Sequence, residues 1–196
     1  AQLLTAFRRD QQQTRYESPD DVLDYCRSSA NPVGRLVLHL GRAHDERRAE
    51  LSDRICTGLQ LANFCQDVAN DFDRGRIYLP QQTLREAGYD EAMFTRREFN
   101  SAFRLAMEIE VARAESLLRA GLPLADAMPR ELQVQIELFA RGGLAILDAV
   151  RRIDYDVWRR RPQVSRLTKV SLLVSAWWRR RVLRRTTGSL SADGIS

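Results

Sequence analysis

Between Asp45 and Asp73 the sequence runs twenty-nine residues without a proline, and apolar side chains recur in it at Leu51, Ile55, Leu59, Ala62, Phe64 and Val68. Most of those steps are three or four residues, the repeat of one face of an α-helix. A helix carrying so long an apolar stripe must bury it against other elements. The rest of the chain offers more helices. Glycine and proline are few and β-branched runs are scarce.

Ser18-Pro19-Asp20 reads as an N-cap followed by proline at the first helical position. The helix it opens carries Val22, Leu23, Tyr25, Cys26, Val33, Leu36, Val37 and Leu40, with a kink or a lost backbone bond expected at Pro32 and a stop at Gly41. Gly75 is expected to end the second long helix, and Arg76 to Pro80 to form an extended connection. Short helices near Gln82–Ala87 follow, then long ones at about Arg97–Ala120 and Pro129–Arg152, and a last one near Leu167–Arg185. Residues 186–196 read as a disordered tail. The expected architecture is an all-α bundle forming one domain over residues 1–185.

With 44% hydrophobic and 29% charged residues in 196, the chain can close one core and does not require two domains. No stretch approaches twenty uninterrupted apolar residues, so no membrane span is expected, and no signal-peptide pattern is seen. Cys26, Cys56 and Cys65 lack metal-ligand spacing and read as reduced, buried small residues of a cytoplasmic protein. The net charge of +5 is uneven: residues 151–185 hold twelve Arg/Lys against two acids, a local +10, which leaves the remainder at −5. Such an end suits either a solvated helix face or an anionic surface. Trp177 and Trp178 beside Arg179–Arg181 would fit a lipid interface, or the packing of a last helix. Nucleic acid is not expected as a partner, because the arginines follow no reading motif. His39 and His44 lie near a helix end and are assigned no chemistry.

The chemistry concentrates between Gln60 and Pro80. Asp67 and Asp71 are four residues apart and project from one helical face, with Asn63 one turn earlier and Gln60 about another turn back. Like charges at this spacing cost an isolated helix about 0.2–0.5 kcal/mol, so a counter-charge is called for. Mg²⁺ suits it, because it binds through one or two carboxylates and keeps sites for water and phosphate. A bare pair of this kind is usually two exposed helix acids. Here the flanks, Leu59, Ala62, Phe64 and Val68, are apolar, and Gly58 permits close approach. Hard oxygen ligands at the rim of a greasy helix fit a substrate with a diphosphate and a long hydrocarbon tail. Arg76 and Tyr78, just past the helix end, could hold phosphate oxygens.

This segment resembles the second aspartate-rich motif of the squalene and phytoene synthases, N-x-x-x-D-x-x-x-D followed by R-x-Y and proline. Tyr25 to Gly34, Tyr-Cys-Arg-Ser-Ser-Ala-Asn-Pro-Val-Gly, is similar to the family's Y-C-x-x-x-A-x-x-V-G helix. Within the family the likeness is nearest to the bacterial hydroxysqualene synthases of the hopanoid pathway. Ser29 to Arg35, Arg141 to Leu147, and Arg159 to Pro162 carry it.

The resemblance implies an isoprenoid-synthase helical bundle in which Asp67, Asp71 and Asn63 bind Mg²⁺ and the diphosphate. Gln60, Arg76, Tyr78 and Arg160 would assist at the phosphates. Tyr25 would face the reacting carbons, and Val33, Gly34, Ser29, Cys56 and Leu59 would line the hydrocarbon tunnel. The implied reaction turns presqualene diphosphate into hydroxysqualene, with water trapping the cation. No G-x-G-x-x-G pattern follows a strand, which suits water better than a nicotinamide hydride. Two alternatives stay open: a phytoene, dehydrosqualene or squalene synthase condensing two prenyl diphosphates, and a non-catalytic helical protein bound to a membrane surface.

The family carries a first aspartate-rich motif on an earlier helix. Only twenty-four residues precede Tyr25 here; Asp10 among them has no acidic neighbour, and Asp20, Asp21 and Asp24 belong to the tyrosine helix itself, not to an earlier one. The chain opens at Ala1 inside a helical pattern of Leu3, Leu4 and Phe7. It is therefore expected to be a fragment lacking an N-terminal part, and to be inactive alone.

Overall fold

A computed structural model of the chain describes residues 13–165, 167–168 and 170–176. Among them the secondary structure is helical, and the only β feature is an isolated bridge between Arg15 and Ile77. The helices are α1 (Pro19–Ser29), α2 (Asn31–Leu40), α3 (Glu46–Gln66), α4 (Val68–Asp73), α5 (Gln81–Glu86), α6 (Glu91–Thr95), α7 (Ser101–Gly121), α8 (Leu124–Ala127) and α9 (Arg130–Arg152). The expected all-α architecture holds.

Each helix start has a local cause. Ser18 closes a capping box on α1: its hydroxyl accepts from Asp21 N at 3.2 Å and its own N–H donates to Asp21 Oδ2 at 2.9 Å. Asp45 caps α3 by accepting from Arg48 N at 2.7 Å, and Asn100 caps α7 by accepting from Phe103 N at 3.0 Å.

Two helices expected to be continuous are divided. The one carrying Pro32 separates at Ala30 into α1 and α2, because Pro32 has no N–H to continue the ladder and Ala30 leaves the line of the helix. The one expected to reach Asp73 ends at Gln66, and Asp67 sits at φ −107° and ψ 15° between α3 and α4. Of the short helices, α5 and α6 lie at and just past the stretch expected to hold them, and α8 has no counterpart in the sequence pattern. The expected last helix is described at 167–168 and 170–176, where it is helical; its remainder, the tail at 186–196, Trp177, Trp178, Arg179–Arg181 and the Leu3, Leu4 and Phe7 pattern lie outside the described residues.

α3 is the spine. It lies along α7, with α9 and α2 against its other sides. One apolar cluster gathers Tyr16, Tyr25, Phe64, Phe103, Met107 and Leu147; a second gathers Leu38, Ile55, Leu124 and Ile136, and Leu59 packs against both.

The α2–α3 contact contains a buried polar tie, Thr57 Oγ1 donating to Asn31 Oδ1 at 3.0 Å. Replacing Thr57 with valine leaves the Asn31 oxygen without that donor in the interior. Urea unfolding should show a loss of about 1–3 kcal/mol, and an unchanged midpoint would mean that the tie contributes nothing.

Candidate functional site

The break at Asp67 leaves the hydrogen-bond ladder largely intact. Asp67 N donates to Asn63 O at 2.9 Å and Asp71 N donates to Asp67 O at 2.8 Å. The two acids thus stay one turn apart, and Asp71 feels the charge of Asp67. Gln60 and Asn63 occupy the preceding turns of α3, with Asn63 exposed. After α4, Gly75 takes φ +77°, a conformation that favours glycine, and Arg76 N returns to Asp71 O at 2.9 Å. The chain then passes Ile77, bridged to Arg15, and places Tyr78 inward.

Tyr78 stacks on Phe64 with ring centroids 3.9 Å apart and planes 7° from parallel. Tyr25 and Tyr16 lie 5.8 Å and 5.7 Å from the Tyr78 ring, so four aromatic rings form a nest. A void of about 10 Å³ is lined by Phe64, Val68, Asp71, Arg76 and Tyr78, among others. The structure therefore brings Tyr25, Tyr78, Arg76 and Asp71 to one corner.

The two carboxyls are unequal. Arg161 grips Asp67 with a fork, Nε on Oδ1 and Nη2 on Oδ2 at 2.9 Å, while Asn70 Nδ2 donates to Oδ1 at 3.0 Å. The Arg161 hydrogen bond holds Asp67 below the usual carboxylate range. Burial, and then the charge of Asp67, push the Asp71 carboxyl up to about 6 against the pull of Arg74, Arg76 and Arg161.

Residue type alone did not single out Arg161. The neighbouring Arg160 lines a cleft of about 330 Å³ with Arg152, Arg161 and Gln163. Gln66, which residue type does not single out either, ties this loop to the helix break: its Nε2 donates to Pro162 O at 2.6 Å and its Oε1 accepts from Arg161 Nη2 at 3.1 Å.

Val33, Gly34, Cys56 and Leu59 meet in one apolar pocket of about 150 Å³, which Ile136 and Phe139 of α9 help to close. Ser29 is not among its lining residues. Its hydroxyl turns back to Tyr25 O at 2.9 Å, the local bond open to a serine four residues on in a helix. A Cβ on residue 34 would lie 2.4 Å from Ser52 Oγ and 2.5 Å from Cys56 Sγ, so glycine is what lets α2 approach α3 here. Burial pushes the Cys26 thiol up to about 12 and raises that of Cys56, in keeping with unreactive small residues.

No cluster of three or more His, Cys, Asp or Glu groups that could hold a metal occurs among the described residues. The donor set is instead two carboxylates at the edge of an arginine-rich loop. That composition fits Mg²⁺, which is commonly held by one or two carboxylates together with substrate phosphates.

Residues 1–168 match the sequence profile of the squalene/phytoene synthases. The chain belongs to that family. Among its relatives, the hydroxysqualene synthase of Zymomonas mobilis is 33% identical over 156 residues, covering 78% of this chain and 52% of the relative. The hydroxysqualene synthase of Sinorhizobium fredii is 40% identical over 122 residues, 61% of this chain and 41% of the relative. The chain thus spans about half the length of these family members, or less. The crystal structure of squalene synthase HpnC from Alicyclobacillus acidocaldarius is 42% identical, with a TM-score of 0.77 over 79% of this chain and 59% of that one. A dehydrosqualene synthase in complex with ligand shares the fold, with a TM-score of 0.83 at 23% identity over 92% of this chain and 64% of that one.

Proposed function

We propose that this chain carries the second aspartate-rich face of a hydroxysqualene synthase, which converts presqualene diphosphate to hydroxysqualene. The observation that carries the reading is the succession of chemistries along α3 and into α4: paired acids at Asp67 and Asp71, an aromatic nest behind them, and an apolar pocket at Cys56 and Leu59. The relatives that bear this enzyme name support it.

In this reading Asp67 and Asp71, with Asn63, hold Mg²⁺, which when bound neutralises the diphosphate leaving group. Gln60, Arg76, Tyr78 and Arg160 contact the phosphate oxygens and fix the leaving group in one orientation. The faces of Tyr25, Tyr78 and Phe64 stabilise the cation left when the C–O bond breaks. Val33, Gly34, Cys56 and Leu59 hold the hydrocarbon and keep bulk water out. One water then adds its oxygen to the cation and releases a proton, giving the alcohol and diphosphate.

No helix among the described residues is long and apolar enough to cross a membrane. The basic stretch at 151–185 and the exposed Leu167, Val170, Leu173 and Val174 support a cytoplasmic enzyme in peripheral contact with an anionic membrane face.

The test is incubation of the protein encoded by the whole source gene with presqualene diphosphate and Mg²⁺, read by mass spectrometry. Hydroxysqualene is expected, and it should disappear in an Asp67→Ala/Asp71→Ala variant. Condensation of farnesyl or geranylgeranyl diphosphate, with presqualene diphosphate untouched, would overturn the product assignment.

A further inference from the structure

The basic cleft beside the aspartate pair extends beyond Arg160, the one residue of its lining placed at the phosphates above. Arg152, Arg160 and Arg161 all line it, and no acid does. Among the described residues neither Arg152 nor Arg160 forms a salt bridge with an acid, whereas Arg159 pairs with Asp156 at 3.0 Å. Arg152 stands in the last turn of α9, where the helix carbonyls offset part of its charge. That offset serves one guanidinium of three. The remaining positive potential suits a compact, multiply charged anion.

Arg161 belongs to this cleft and to the aspartate pair at once. Its fork covers both oxygens of Asp67, and its Nη2 also reaches Gln66 Oε1. The side chains of Arg161 and Asp67 are 47% and 24% exposed, so the pair is screened and weak enough to exchange. The backbone beside it is fixed, because the buried Gln66 amide holds Pro162 O. Only the Arg161 side chain needs to move. A divalent cation on Asp67 would meet a guanidinium already in place, and like charges cannot share that carboxylate without cost.

We propose that Arg161 is an exchangeable counter-ion: it occupies Asp67 in the absence of a cation and passes to a diphosphate-sized anion in the Arg152–Arg160 cleft when a divalent cation takes that carboxylate. Arg161 is then a positioning residue that couples cation binding to anion binding. This rests on reading Asp67 and Asp71 as cation ligands. It adds Arg152 to the anion contacts and makes Arg161 a competitor of the metal.

The experiment is Mn²⁺ titration of the full 196-residue chain, read by electron paramagnetic resonance of free Mn²⁺, with and without inorganic diphosphate and corrected for their complex in solution. An Arg161→Gln variant should bind Mn²⁺ alone about 2- to 5-fold more tightly, the loss of one screened ion-pair competitor. Diphosphate should no longer enhance that binding. Arg161→Lys, which keeps the charge without the fork, should fall between, and Arg152→Gln should weaken only the diphosphate effect, by about 3- to 10-fold. Circular dichroism verifies that each variant is folded. Unchanged or weaker Mn²⁺ binding by folded Arg161→Gln, with wild type binding normally, would overturn the exchange and leave the aspartate site standing. Wild type that binds no Mn²⁺ with or without diphosphate would remove the cation site and the exchange with it.

Discussion

An Asp71→Asn variant is expected to be more stable than the wild type at pH 7.5 and at the same time to lose the proposed cation site. The Asp71 carboxyl titrates at about 6 in the folded chain, against an ordinary value of 3.8, chiefly because it is half-buried beside Asp67. A raised folded value means that the carboxyl's stabilising contribution is fully present below pH 3.8 and is lost as pH rises through about 6. At neutral pH the ionised group is therefore a cost. Linkage over about two units sets a ceiling near 3 kcal/mol, and solvent screening at a half-exposed group lowers it to roughly 1 kcal/mol. Urea midpoints without divalent cation should show the variant ahead at pH 7.5 and level with wild type at pH 4. An equal difference at both values would show that the effect has nothing to do with ionisation.

The same substitution should reduce turnover of the whole enzyme by at least about a hundredfold, since a neutral amide is a poor ligand for a hard cation. Wild-type cation affinity should climb between pH 5 and 7, because the ligand must be ionised, and the variant should lack that climb. A site that costs stability when empty is the expected signature of charge held ready for a ligand.

The parts of this fold legible in the sequence are those governed by local periodicity. The stripes of α3, α7 and α9 and the capping signal at Ser18 depend on neighbours within one or two turns, so residue order displays them. The break at Asp67 does not. Nothing in Gln66-Asp67-Val68 interrupts a helix by type, and the interruption coincides with the loop at Arg161 and Pro162 docking on Gln66 from almost a hundred residues away. Arg159, Arg160 and Arg161 show the same limit for the candidate site. As residue types they are interchangeable, yet one pairs with Asp156, one lines the cleft and one grips Asp67. Outside a regular helix no periodicity decides which way each turns. Phe139 and Ile136 are not legible as pocket residues from residue order, because they reach the pocket of Cys56 through α9 packing. Ser29 is different: a serine four residues after Tyr25 in a helix can bond back to its carbonyl, and that rule was available in advance.

The α3–α7 contact supplies the second large effect. A Cβ on residue 58 would stand 2.8 Å from Leu118 Cγ, 3.0 Å from Leu118 N and 3.1 Å from Ala114 O. Two of these neighbours are backbone atoms of α7, which no rotamer change can clear. Gly58→Ala gains about 0.5–1 kcal/mol of helix propensity, but forcing two packed helices apart costs about 1–3 kcal/mol, so a net loss near 1 kcal/mol and a Tm lower by roughly 3 °C are expected. Gly142, in the middle of α9, supplies the opposite case: a Cβ there meets nothing within 4 Å. With only the propensity gain left, Gly142→Ala should stabilise by about 0.5–1 kcal/mol. Thermal unfolding of both variants should therefore give shifts of opposite sign. Two shifts of the same sign would sink the close-approach account of Gly58. The site responds as well, because Asp67 leaves the end of the helix that Gly58 seats. Gly58→Ala should lower cation affinity along with stability, and Gly142→Ala should leave that affinity where it was.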